Sequence, residues 1–247
     1  MDCLACGPTT SSPSNEHVFA RWMLKEFEPD ASMSLYRQFG DGTHMQIRCE
    51  IKLESFRLGA ICEACNNGWM SELEVHAKPL LLALSREQRA LSDLTEEECG
   101  IVAAWAGKTA IIESHSVGAE CPVSGDYLKE IRANGGRKPG RFAVVASISG
   151  KRSFAHMQVG VIHDLIGGGK AAGNIIVLAI PNLALVCSFP MLPIPFECRC
   201  VKSLFTPLWP SPAHWREMNQ TPMPPGLQGA EHLSAMAERI ELFHPFR

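Results

Sequence analysis

The stretch Ala60-Ile-Cys-Glu-Ala-Cys-Asn-Asn-Gly-Trp-Met-Ser-Glu-Leu-Glu74, AICEACNNGWMSELE, runs from a CxxC turn through two asparagines into a helical pattern. A second CxxC, Cys3 and Cys6, opens the chain. Each such turn holds two thiolates at the separation a tetrahedral zinc ion needs, so Cys3, Cys6, Cys62 and Cys65 together form a candidate structural zinc site. The 55-residue spacer is longer than in an ordinary zinc ribbon. Redox use of either pair fits less well, because neither motif lies in a thioredoxin-like βαβ pattern. The other cysteines, including Cys198 and Cys200 in CRC, read as core thiols or strays and are given no role.

Outward from that stretch, Trp69, Met70, Leu73 and Ala77 are spaced for one buried helical face. Upstream, TTSSPSN (9–15) is loop chemistry, and EHVFARWMLKEF (16–27) reads as a short amphipathic helix. SLYRQF, GDG and THMQIRCEIKLESF form a hairpin pattern; Met45, Ile47, Cys49, Ile51 and Leu53 alternate with polar residues, a period of two. Asp41-Gly42 supplies the turn. Downstream, LTEEECGIVAAWAGKTAIIE is a helix with Thr95 and Glu98 as its capping box. Ser124 caps a further helix through Ile131. Strands follow in RFAVVASIS, FAHMQVGVIH, NIIVLAI and LALVCSF, then a Pro-rich tail and a helical EHLSAMAERIELF.

No run reaches the ~18 apolar residues of a membrane span. The N-terminus lacks the basic start and apolar core of a secretory signal. With ten cysteines in 247 residues, well below the density of a disulfide scaffold, the expectation is a soluble, cytoplasmic protein with reduced thiols. Residues 1–76 carry six Lys and Arg against eleven Asp and Glu, whereas residues 77–247 carry seventeen against fifteen. Phosphate-gripping proteins concentrate basic residues, so nucleic-acid contacts are expected in the second part. Its densest positive run, Lys129 to Arg152, contains GGRKPGR with Arg137, Lys138 and Arg141, which reads either as a solvated loop or as a phosphate-contacting arm.

Glu16-His17 stands ten residues after Cys6, and Asn66 follows Cys65 directly. Carboxylate and amide oxygens suit a hard cation such as magnesium or manganese. An imidazole titrating near neutrality can take a proton from water. Arg21 is read as either a phosphate contact one helical turn after His17 or a solvated side chain. Lys108 in AAWAGKTA is suggestive in the same way, while Trp105 is assigned to packing.

In this order the segments CLAC, EHVFARWM and CEACNNGW resemble the HNH (ββα-metal, or His-Me finger) endonucleases, with the arrangement of the phage endonuclease VII type. The resemblance covers roughly residues 1–76. It implies that Cys3, Cys6, Cys62 and Cys65 hold structural zinc, that His17 is the general base, and that Glu16 and Asn66 ligate a catalytic Mg or Mn. In the family's alternative arrangement Asn67 would orient His17 or a phosphate; the other reading is that Asn67-Gly68 only eases the turn into the helix. The chain departs from the family in having Glu where Asp is usual and in its longer segment between His17 and Cys62. Trp69 and Met70 also stand where a further helix ligand is usual. The implied fold class is α+β, with a small zinc-anchored ββα-metal nuclease module over 1–76 carrying an inserted hairpin. A larger α+β domain follows over 77–247. DNA is the expected partner and RNA, with the same phosphodiester, stays open; a homodimer is one route to double-strand cleavage. The rival reading is a non-catalytic zinc-stabilised module for binding nucleic acid or protein.

Overall fold

The computed structural model describes residues 1–27, 32–38, 49–52, 57–116, 123–140, 142–148, 155–164, 170–190 and 206–209. The chain begins with a tight antiparallel pair, β1 (Asp2–Cys3) and β2 (Gly7–Pro8), which folds the first CxxC back on itself. Glu16–His17 then forms β3, and the helix α1 is confined to Arg21–Glu26. This corrects the helix expected over 16–27. Glu16 and His17 are drawn into extended backbone by antiparallel pairing with β6 (Arg57–Leu58), in the register Glu16↔Leu58 and His17↔Arg57. Such distant pairing leaves no local periodicity to read.

Between β3 and β6, β4 (Ser32–Gln38) and β5 (Cys49–Lys52) pair antiparallel, as the alternating pattern predicts. The Asp-Gly turn lies outside the described residues. β4 also runs parallel to β8 (Ala155–Asp164), which makes the hairpin the edge of a seven-stranded sheet. The remaining strands are β7 (Ala143–Ile148), β9 (Lys170–Ile180), β10 (Leu183–Pro190) and β11 (Thr206–Trp209). Their order is β11-β7-β10-β9-β8-β4-β5, antiparallel apart from β4–β8. The architecture is thus an α+β mixture.

After the second CxxC a three-residue turn of helix, α2 (Glu63–Cys65), opens into a wide π-helical turn over Asn66–Met70. It re-tightens as α3 (Ser71–Ser85). Gly68 takes non-helical angles inside the wide turn. Met70, Leu73 and Ala77 are buried and Trp69 packs against them, the face their spacing predicts. The expected division near Ala77 falls within α3.

α4 (Glu96–Ser116) is the centre of the molecule, with every residue from Cys99 to Ser114 buried. It meets α3, α5 (Asp126–Ala133) and β6, and lies against β7, β9, β10 and β11 of the sheet. The sheet's contribution to the core alternates along each strand: Val144 and Ala146; Ile176, Leu178 and Ile180; Leu183, Leu185 and Cys187. The expected capping box is present, with Thr95 N–H donating to Glu98 Oε2 at 2.8 Å and Glu98 N–H to Thr95 Oγ1 at 3.3 Å. Ser124 Oγ accepts from Asp126 N–H at 3.2 Å at the start of α5. Between β9 and β10, Asn182 takes φ +61° and its amide donates to Ser85 O at 2.8 Å, tying the hairpin to the end of α3. The expected C-terminal helix and Pro-rich tail lie outside the described residues. Among the described residues no helix is long and apolar enough to cross a membrane.

Candidate functional site

The two CxxC turns, far apart in sequence, meet. The sulfurs of Cys3, Cys6, Cys62 and Cys65 all lie within 4.8 Å of one another, close enough to hold a metal ion. Cys6 and Cys62 Sγ are 3.7 Å apart. A tetrahedron with metal–sulfur bonds of about 2.3 Å has edges of ~3.8 Å, so the spacing is compatible with structural zinc. It is far beyond the ~2 Å of a disulfide. Cys3, Cys62 and Cys65 are buried and Cys6 half-buried. Backbone donors are aimed at the cluster, with Cys62 N–H giving to Cys3 Sγ at 3.3 Å.

The thiols are unequal. Without a metal, burial and the neighbouring Cys62 and Cys6 sulfurs push the Cys65 thiol up to about 12. Burial also raises Cys6. For Cys62, burial acts upward but is outweighed by the Cys65 backbone N–H and the other thiols, and the result is about 7. Cys62 is therefore accessible as a thiolate near neutrality, and a bound cation must displace the protons of Cys6 and Cys65.

The cluster is also a frame for the acid–His pair and the asparagines. Ser14 N–H and Oγ both donate to Ile61 O, at 2.7 and 2.9 Å. Glu63 N–H donates to Ser12 O at 2.9 Å, Ala64 N–H to Ser11 Oγ at 3.2 Å, and Pro13 bridges to Cys62. Leu4 N–H donates to Ala60 O at 3.0 Å. Residues 11–14 are thus stitched to residues 61–64. Glu16 follows two residues beyond one side of the stitch, and Asn66 two residues beyond the other. Asn66 N–H itself donates to Cys62 O at 3.0 Å, so the knuckle orients the backbone of Asn66 directly. Asn66 is half-buried and Asn67 exposed at the head of the wide turn. π-turns inside helices recur where a side chain must be aimed. The side chain of Glu16 lies outside the described residues, although its backbone pairs in β3. Among the described residues the four cysteines are the one group of His, Cys, Asp and Glu side chains close enough to hold a metal.

His17 is half-buried, and burial, then the guanidinium groups of Arg57 and Arg21, hold its imidazole below its ordinary pKa. It is kept neutral at physiological pH, the form able to accept a proton. Val18 and Phe19 beside it are fully buried and anchor this end of β3. Arg57, the cross-strand partner of His17, has no mark in the sequence, being 40 positions away and outside every motif. Arg21 is exposed at the first position of α1 rather than a helical turn after His17.

The basic loop packs against the turn that follows Asn66 and the start of α3. Gly136, at φ +72°, sits so close to α3 that a Cβ there would lie 3.2 Å from the Trp69 ring and 3.4 Å from its carbonyl. The following Arg137 is exposed, within 3.5 Å of His76 Nε2 on α3 and 3.7 Å of Glu97 Oε1 on α4. Lys138 is exposed beside it; Arg141 lies outside the described residues. Lys108 has a different fate from the phosphate contact considered for it, since its side chain is fully buried and its ammonium bonds Glu74 at 2.6 Å. No family model, curated protein or solved structure matches the chain.

Proposed function

We propose that the protein is a metal-dependent endonuclease of the HNH, endonuclease VII-like type that hydrolyses phosphodiester bonds of DNA. The observation that carries the reading is the stitched frame. It joins a four-cysteine cluster to an acid–His strand on one side and a Cys-Asn helix start on the other, with β3 paired to β6 and α1, β4 and β5 inserted between those two strands. Zinc in the cluster would be structural, holding both turns in register.

His17, neutral and half-buried, takes a proton from the attacking water. Attack in line on the phosphorus then breaks the bond to the 3′ oxygen, leaving a 5′ phosphate and a 3′ hydroxyl. The carboxylate of Glu16 and the amide oxygen of Asn66 are hard donors, the set that would hold Mg²⁺ or Mn²⁺; such an ion, when bound, would stabilise charge on the phosphate and the departing oxygen. Asn67 orients His17 or a phosphate oxygen. Arg21, Arg137, Lys138 and Arg141 supply backbone contacts, with RNA as an alternative substrate.

The test is supercoiled-plasmid cleavage by purified, zinc-loaded protein with Mg²⁺ or Mn²⁺, beside His17→Ala and a chelator control whose zinc content is checked. Metal-dependent nicking lost in His17→Ala is the expected result. Equal cleavage by the variant sinks the assignment. No cleavage of plasmid, single strands or branched DNA by either protein makes the module a binding platform instead.

A further inference from the structure

Eight residues after Asn66, Glu74 stands where three helices meet. Its Oε2 accepts from Trp22 Nε1 on α1 at 2.9 Å. Its Oε1 accepts from Trp105 Nε1 and Lys108 Nζ on α4, at 2.9 and 2.6 Å. The Lys108 side chain is fully buried and that of Glu74 is 15% exposed. Charge-assisted bonds of this length in a water-poor setting are strong and directional, and three of them leave the carboxylate one orientation.

The two oxygens serve different neighbours. One binds α3 to the central helix; the other binds α3 to α1. α1 begins four residues after His17, while α3 follows the wide turn that carries Asn66, past the kink at Gly68. We propose that Glu74 is a positioning residue, setting the spacing between His17 and Asn66 through the Trp22 N–H. This rests on the nuclease reading for its catalytic consequence, but not for its structural one. The exposed pairs between the same helices, Glu26 with Lys78 at 3.4 Å and with Arg86 at 2.8 Å, lie in solvent and constrain less. The rival restraints on His17 are its pairing with Arg57, which ties β3 to β6 rather than to α3, and the burial of Val18 and Phe19. Those two side chains hold β3 in the core, but an apolar contact is not directional and does not set its distance from α3.

The two tryptophan bonds can be cut separately. Trp22→Phe deletes one N–H and keeps a ring beneath Lys78 Nζ, which sits 5.6 Å from the Trp22 centroid. Trp105→Phe deletes the other, on the α4 side. Displacement of a reacting group by about 1 Å costs up to ~100-fold, so Trp22→Phe is expected to lower kcat for plasmid nicking by about tenfold with KM unchanged. Trp105→Phe is expected to lower Tm and leave kcat alone. The second readout needs no cleavage: the His17 ring 1H–13C cross-peak in the full, zinc-loaded chain shifts in Trp22→Phe and stays in place in Trp105→Phe. An unmoved cross-peak and unchanged kcat in Trp22→Phe overturn the proposal, as does an equal response to both variants. If wild-type protein cuts no DNA, the nuclease reading fails, and the cross-peak comparison still decides whether Glu74 positions His17.

Discussion

Replacing Cys62 with serine should unfold the beginning of the chain before anything else. Cys62 is fully buried, and its sulfur is 3.7 Å from that of Cys6. Structural zinc contributes about 10–16 kcal/mol of apparent binding free energy in small zinc-finger peptides, so one of four ligands is worth ~2.5–4 kcal/mol. Against a total stability of about 5–15 kcal/mol, that is a large share. At roughly 2–4 °C per kcal/mol for a chain of this size, Tm should fall by about 5–16 °C. The damage is local first. The bonds Leu4 N–H to Ala60 O and Ser14 N–H to Ile61 O hang on the cluster, so their amides should lose hydrogen-exchange protection ahead of α4. Acid should act in the same direction, because Cys65, pushed up to about 12 without a metal, must release a proton to bind one. Zinc by atomic emission, calorimetry and exchange on matched samples make the assay. A Cys62→Ser protein that is zinc-free, with wild-type Tm and protection, would refute the structural-metal reasoning.

Two further substitutions probe the frame around the site. Bidentate bonding to Arg89, at 2.7 Å to each oxygen, and the Thr95 backbone N–H depress Glu98 from 4.5 to about 2. A depressed carboxylate contributes stability that is complete above pH 4.5 and lost as pH falls toward 2, so Glu98→Gln should flatten that acid limb in a pH series of urea unfolding. An unchanged limb would contradict the ion pair. Gly107→Ala would drive a methyl group into the Phe142 ring, which is itself packed at 4.9 Å against Phe189. Overpacking of this kind costs about 1–3 kcal/mol, readable as a lower urea midpoint with the slope retained; a midpoint at or above wild type would contradict it.

What the sequence disclosed was whatever is local. Cys3-x-x-Cys6 and Cys62-x-x-Cys65 announce themselves because ligand spacing within a turn is a short-range property. Thr95 and Glu98 do so because a capping box spans four residues, and β7 to β10 because each strand carries its own apolar run. Three features were not legible, and each depends on a partner far along the chain. β3 has two residues, too few for any period, and exists through β6, 40 positions on. The parallel pairing of β4 with β8 joins residues about 120 apart, and nothing in either strand names the other. Arg57 reaches His17 through that same β3–β6 register.

Lys108 shows why such partners matter more than residue type. The lysine in the middle of AAWAGKTA reads from sequence as a phosphate contact or a solvated side chain, and it is neither, because α4 is buried from Cys99 to Ser114. Its partner is Glu74, 34 residues earlier on another helix, whose carboxylate meets the ammonium at 2.6 Å. Removing one member of such a pair leaves a buried charge and costs ~3–5 kcal/mol, whereas replacing both by apolar groups is often nearly neutral. Stability alone therefore does not explain a carboxylate at this place. Glu74 carries two indole bonds besides, one to each neighbouring helix. An apolar pair would fill the same volume but remove the directional tie that the Trp22 N–H makes between α1 and α3.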